Sequence, residues 1–261
     1  MTKSNRKKAP GGLAARLGIQ SWCFRGYKDH PAVITALKAC SVNYVEMCGC
    51  HLDPLLGDDY GPVLDLYKQN DIALNAFGVH RFDGDRAKAR KIFELGRRAG
   101  FNAISADLAP GGLETAEALC EEFGMRIAIH NHGRRHHLGS VPALEELFRR
   151  SSPRVGLCLD TAWMLDSGWN PVEVAKQFRE RLYGLHVKDF VFTRAGKPED
   201  VVVGTGNLDL DGLLRLLVET NFDGYVTLEY EGNVDNPIPP TAKCVHAVWK
   251  ALARITAPPA A

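Results

Sequence analysis

The chain carries almost no charge imbalance. Its 32 lysines and arginines meet 31 aspartates and glutamates, leaving a formal net charge of +1 over 261 residues. A domain that grips nucleic acid through its phosphates shows a basic excess, so no nucleic-acid partner is expected. Long apolar runs are also missing: no stretch approaches the roughly 18 residues that a membrane-crossing helix needs. The N-terminal MTKSNRKKAPGG is basic and lacks the apolar segment of a secretory leader. Cysteine is scarce and odd in number, seven in a chain long enough to bury a core without covalent staples. These absences lead to the expectation of a reduced, soluble, cytoplasmic protein. With 45% hydrophobic and 24% charged residues, the composition excludes a disordered or fibrous chain.

Against that background one unit recurs. Short aliphatic runs that close on polar residues lie at 17–22, 43–48, 72–79, 102–108, 126–132, 155–160, 183–189 and 225–231. Each suits a strand buried in a parallel sheet with its carboxyl end facing solvent. Amphipathic stretches separate them, with Pro31 and Pro171 where a first helical turn tolerates proline and Gly100 and Gly124 where helices stop. Eight such units in this length predict an α/β fold, a single (β/α)8 TIM barrel. A doubly wound sheet is disfavoured because no Gly-rich dinucleotide fingerprint follows the first strand. The expected layout is a flexible basic tail over 1–15 and the barrel over 16–256.

In such a barrel the chemistry sits at the carboxyl ends of the strands. There the sequence places Glu46, His80, Asp107, His130 with Asn131 and His132, Asp160, His186 with Lys188 and Asp189, and Glu229 with Glu231. Side chains two apart on a strand share a face, which pairs His130 with His132, His186 with Lys188 and Glu229 with Glu231. Carboxylates and imidazoles converging from several strands are what a divalent ion requires.

The runs RIAIHNHG, GLCLDTAWMLDSGWNPVEVAKQF, ERLYGLHVKDF, VVVGTGNLDLDGLLRLL and FDGYVTLEYEG resemble the sugar phosphate isomerase/epimerase family of xylose isomerase-like TIM barrels. The likeness runs from about residue 16 to 252. It implies a divalent metal held by one residue from each of the last four barrel strands, with Asp160, His186 and Glu229 at three positions. The fourth is a Glu in many relatives and is His130 here, with His132 as a substitute. The His-Asn-His run and Trp163 are similar to a branch containing dehydratases and 3-keto-sugar lyases.

Two imidazoles and two carboxylates favour Mn, Co, Fe or Zn over Mg. An ion so held would bind a substrate carbonyl and its neighbouring hydroxyl, so the expected activity is carbohydrate or cyclitol isomerisation or epimerisation through an enediolate. A lyase or dehydratase acting on keto-sugars, keto-inositols or 3-keto-glycosides is the alternative on the same site. Glu46 and Glu229, with Glu231 as a further candidate, are read as proton-transferring carboxylates on different sides of the mouth. Lys188 is read either as support for developing negative charge or as the salt-bridge partner of Asp189. His80, His132, Trp22, Trp163 and Glu231 are read as substrate contacts. The partner is then a small sugar or cyclitol, and a homo-oligomer is left open because barrels of this type often self-associate. An endonuclease IV-like nuclease and a non-catalytic barrel fit less well. Cys48-Gly49-Cys50 is a single CxC without a second pair, and no cysteine is given a role.

Overall fold

The computed structural model of the protein describes residues 12–257, apart from 58 and 102. Among the described residues, eight parallel strands close into a barrel in the order β1-β10-β7-β6-β5-β4-β3-β2. They are β1 Leu17–Gln20, β2 Tyr44–Met47, β3 Ala73–Phe82, β4 Ala103–Leu108, β5 Arg126–His130, β6 Val155–Asp160, β7 Leu182–Val187 and β10 Tyr225–Leu228. An antiparallel pair, β8 Phe190–Phe192 and β9 Pro198–Asp200, is inserted after β7. The sequence reading missed this pair.

Crossovers are made by α1 His30–Ala39, α2 Gly61–Gln69, α3 Arg86–Ala99, α4 Gly112–Phe123, α5 Val141–Arg150 and α8 Leu210–Glu219. The β6–β7 crossover is split into α6 Thr161–Asp166 and α7 Pro171–Gln177, and α9 Ile238–Thr256 follows β10. Local chemistry explains the ends. Asp29 caps α1 by accepting the Ala32 N–H at 2.8 Å, and Ser140 and Asp209 cap α5 and α8 likewise. Gly100 closes α3 in the left-handed conformation, where a side chain would be strained.

Every residue of β4, β6 and β7 is buried, as expected for strands covered on both faces. The lower barrel is filled by two large rings set over glycines. Tyr225 pairs in register with Gly184, and Tyr183 lies against Gly156; a Cβ at either glycine would overlap the ring. Above them, the Tyr225 hydroxyl reaches Ser105 Oγ at 2.7 Å. This places a polar thread in a layer that barrels usually fill with branched aliphatics.

Of the tail expected over 1–15, residues 1–11 lie outside the described residues. A 3-10 turn already forms over Leu13–Arg16, with Leu13 buried and the Trp249 indole donating to the Ala14 carbonyl at 3.1 Å. No helix among the described residues is long and apolar enough to cross a membrane.

Candidate metal centre and active site

Four buried side chains from the last four barrel strands meet at the carboxyl end of the barrel. His130, Asp160, His186 and Glu229 each offer one donor atom, and these atoms all lie within 4.8 Å of one another. His130 ends β5 and Asp160 ends β6, with Nε2 and Oδ2 3.4 Å apart. His186 on β7 places Nδ1 3.5 Å from Oε2 of Glu229, which follows β10. Asn131 holds two of these strand ends together: its side-chain oxygen accepts the Asp160 N–H at 2.9 Å and its amide donates to the Asp160 carbonyl at 3.0 Å. The sequence reading placed Asn131 at the site without a task. His132 stays outside the four, with its ring 4.7 Å from that of His130, half-buried and pushed down to about 4, chiefly by burial.

The free valences of these groups fit a cation. Asp160 uses Oδ1 to accept the Trp163 N–H at 2.8 Å, capping α6, while its buried Oδ2 has no hydrogen-bond partner. His186 donates from Nε2 to Glu46 Oε2 at 2.7 Å, which leaves the buried Nδ1 as a bare lone pair facing Glu229. Lone pairs pointed at one another repel unless a positive charge lies between them. Burial disfavours the charged form of His186, but Cys158, Glu46 and Glu229 outweigh it and hold the imidazole well above its ordinary range, so Nδ1 takes up a proton when no other cation is bound. The pocket therefore draws positive charge strongly.

Glu46 corrects the sequence reading. It was expected to be a base at the mouth, but it is fully buried behind His186. One oxygen accepts from His186 and the other from Ser105 Oγ, which also meets Tyr225. Both oxygens are committed within the protein, in the arrangement of a carboxylate that fixes the tautomer and orientation of a ligating histidine.

For Lys188 the structure decides against one of the two readings, the salt bridge with Asp189. Its ammonium is fully buried and does not pair with Asp189. It contacts Glu231 closely, Glu229 at 3.4 Å and Asp200 of β9 at 4.0 Å, beneath the rings of Trp163 and Phe190. These carboxylates outweigh the burial cost, so the lysine is raised above its usual range and stays protonated. Asp189 turns the other way. Its Oδ2 accepts the N–H groups of Gly204 and Gly206 at 3.0 and 2.9 Å, and its Oδ1 accepts that of Leu208 at 2.9 Å. The Val-Gly-Thr-Gly-Asn run is thereby wrapped around the carboxylate, and a Cβ on Gly206 would strike it.

The other expected contacts surround this centre. Trp22, 37% exposed at the mouth after β1, donates its indole N–H to Glu231 Oε2 at 2.9 Å. Trp163 is half-buried and set edge-on to Phe190, with ring centroids 5.1 Å apart. His80 lies in β3, its ring tilted against that of Phe77 with centroids 4.0 Å apart, and its Nε2 is buried and unpartnered. A second group, Asp107 with His136 and His137, sits farther out, where Arg81 already pairs with Asp107 at 3.4 Å.

Asp200 had no sequence signal. Burial pushes its carboxyl up to about 6, against the pull of Lys188 and with the help of Glu231. A folded value above the unfolded one means that folding takes up a proton, so stability falls as pH rises between about 4 and 6. In metal-free protein, Asp200→Asn should therefore raise the unfolding free energy at pH 7.5 by about 1–2 kcal/mol, a gain that vanishes by about pH 4. Denaturant melts at both pH values test this, and equal midpoints at pH 7.5 would refute it.

Comparison with known proteins now bears on the barrel and its centre. A family model described as xylose isomerase-like TIM barrel matches residues 106–249, more than half of the chain. The chain belongs to that family. Among curated relatives, an inosose dehydratase of Clostridium botulinum is 28% identical over 159 residues, covering 53% of this chain and 52% of its own. The chain thus matches over about half the length of that relative. Two solved barrels share the fold. The probable 3-DHS dehydratase AsbF of Bacillus anthracis superposes with a TM-score of 0.72 at 16% identity, over 90% of this chain and 98% of its own. The IolI protein with a bound zinc atom gives 0.73 at 15%, over 93% and 100%.

Proposed function

We propose that the protein is a divalent-metal-dependent lyase that removes water from a keto-cyclitol or related keto-sugar. The observation that carries this reading is the buried ammonium of Lys188, set among Glu229, Glu231 and Asp200 at the four residues that could hold a metal. Epimerisation needs a proton acceptor on each face of a planar intermediate, and Glu46, the carboxylate expected on the second face, is sealed behind His186. The charged groups gather instead on one side. The relative named as an inosose dehydratase supports the same choice.

His130, Asp160, His186 and Glu229 would hold the ion, and their mixed nitrogen and oxygen donors suit Mn, Co, Fe or Zn better than Mg. When bound, the ion would supply Lewis-acid stabilisation of negative charge on a substrate carbonyl oxygen. Glu231, partly exposed and aligned by Lys188 and Trp22, takes the proton from the carbon next to the carbonyl. Lys188 gives a proton to the hydroxyl leaving the next carbon, so that water departs and a carbon–carbon double bond forms. Trp163 and Trp22 present flat apolar walls to the ring, and His80 offers an unpartnered nitrogen for a hydroxyl.

Metal-loaded protein incubated in deuterated water with ketoses, inososes and 3-keto-glycosides distinguishes the outcomes. The expected result is loss of water from an inosose-type substrate, seen as a rising enone absorbance and a mass decrease. Deuterium at the α-carbon without water loss would restore the isomerase or epimerase reading. Neither change with any compound would sink enediolate chemistry here.

A further inference from the structure

The turn that follows β2 carries Cys48, Gly49, Cys50 and His51, none of which the proposed chemistry uses. The turn is closed by the His51 and Leu52 N–H groups, which both donate to the Cys48 carbonyl, at 3.0 and 3.1 Å. It is pinned to the barrel by the Cys48 N–H, which donates to Ser21 Oγ at 2.8 Å. Within it the Cys50 N–H donates to Cys48 Sγ at 3.2 Å, and the two thiols share a hydrogen bond. Cys50 Sγ lies 3.4 Å from His51 Nδ1. The opposite nitrogen of that ring, Nε2, faces the Phe24 carbonyl at 3.3 Å. A carbonyl only accepts, so Nε2 carries the hydrogen, and the Nδ1 lone pair faces both Cys50 Sγ and Ser21 Oγ, the latter at 3.0 Å.

Exposure separates this pair from the other cysteines. Cys50 is exposed and Cys48 half-buried, while Cys23, Cys40, Cys120, Cys158 and Cys244 are buried and unpaired. Burial pushes each of those five thiols up. Cys50 moves the other way. The hydrogen bond from Cys48 and the neighbouring His51 bring it down to about 5, against a smaller penalty from burial. Cys48 is raised, chiefly because it keeps the shared proton, with burial and the more distant charge of Glu229 adding to the effect.

We propose that Cys50 and Cys48 form a dithiol modification site that reacts with low-molecular-weight disulfides, Cys50 attacking and Cys48 resolving. The Cys50 thiolate attacks one sulfur of the small disulfide, forming a mixed disulfide and expelling one thiolate. Cys48 then releases its proton and attacks the Cys50 sulfur, which expels the second thiolate and closes a Cys48–Cys50 disulfide. Two electrons pass from the chain to the reagent. The turn stands at the mouth of the barrel, where a Cβ on Gly49 would lie 3.5 Å from the His80 ring, so the modification would occur beside the substrate pocket.

The probe is an aromatic nitrobenzoate disulfide that liberates a coloured thiolate, mixed with native full-length protein. We expect a fast phase that releases two thiolates per chain, well before the buried cysteines react. Its rate should fall less than about 2-fold between pH 8 and pH 6, where an ordinary thiol slows roughly 80-fold. Cys48→Ser should release one thiolate and retain the adduct by mass; Cys50→Ser should lose the fast phase while keeping its melting temperature. A fast phase that survives Cys50→Ser, a wild-type chain that stops at the mixed disulfide, or the steep pH dependence of an ordinary thiol would each overturn the assignment.

Discussion

His186→Ala should leave a folded barrel that no longer retains a divalent ion. Elemental analysis of the wild type should find about one ion per chain, and the variant should bind it more than roughly 1000-fold more weakly, with activity lost in parallel. The size follows from the geometry. His186, in the proposed metal site, bridges its outer and inner parts, meeting Glu229 on one nitrogen and Glu46 on the other. Its loss takes away a donor and also leaves Glu46 a buried, uncompensated carboxylate. Glu46→Gln separates these effects. It keeps the shape and one hydrogen bond to the ring, so metal affinity should fall only about 10–100-fold. Metal titration by calorimetry measures both. A His186→Ala protein that still holds one ion per chain, or turns over substrate after exhaustive chelation, would remove the metal centre from consideration.

Lys188→Met should be nearly as damaging, by a different route. The methionine fills the volume but removes the cation from among Glu229, Glu231 and Asp200. Turnover should drop by about 100- to 10,000-fold, the range for a lost general acid, with the metal retained. Stability should fall by about 3–5 kcal/mol at pH 7.5, because breaking a buried ion pair strands its partners. Lowering the pH protonates those carboxylates, so much of that deficit should be recovered near pH 5 while the activity is not. Activity close to wild type would show that the lysine only neutralises its neighbours.

The barrel was legible because its signal is repeated. Eight aliphatic runs survive as eight strands, with ends displaced by up to three residues, at β3, which runs on through His80 to Phe82, and at β10, which stops at Leu228. The four converging residues were legible because a strand end is a place that sequence can name. What sequence could not supply was depth and direction. Glu46 and Glu229 both look like carboxylates at strand ends, yet one is sealed between His186 and Ser105 while the other faces His186 and Lys188. Lys188 and Asp189 are neighbours in the chain and read as a pair, but consecutive side chains leave a strand on opposite sides. The β8–β9 pair escaped because three-residue strands carry no period, and Asp200 had meaning only once that pair folded over Lys188.

The two tyrosines set over glycines low in the barrel have a consequence for how damage would spread. Tyr225 rests on Gly184, touches Ser105, and through it reaches Glu46 and then His186. A methyl group added at Gly184, two residues before His186 on β7, would displace a ring whose hydroxyl meets the serine that supports Glu46. Such a change would look in a sequence like a routine core substitution. It should be felt as a shift in metal affinity, because consecutive hydrogen bonds join Tyr225 through Ser105 and Glu46 to His186.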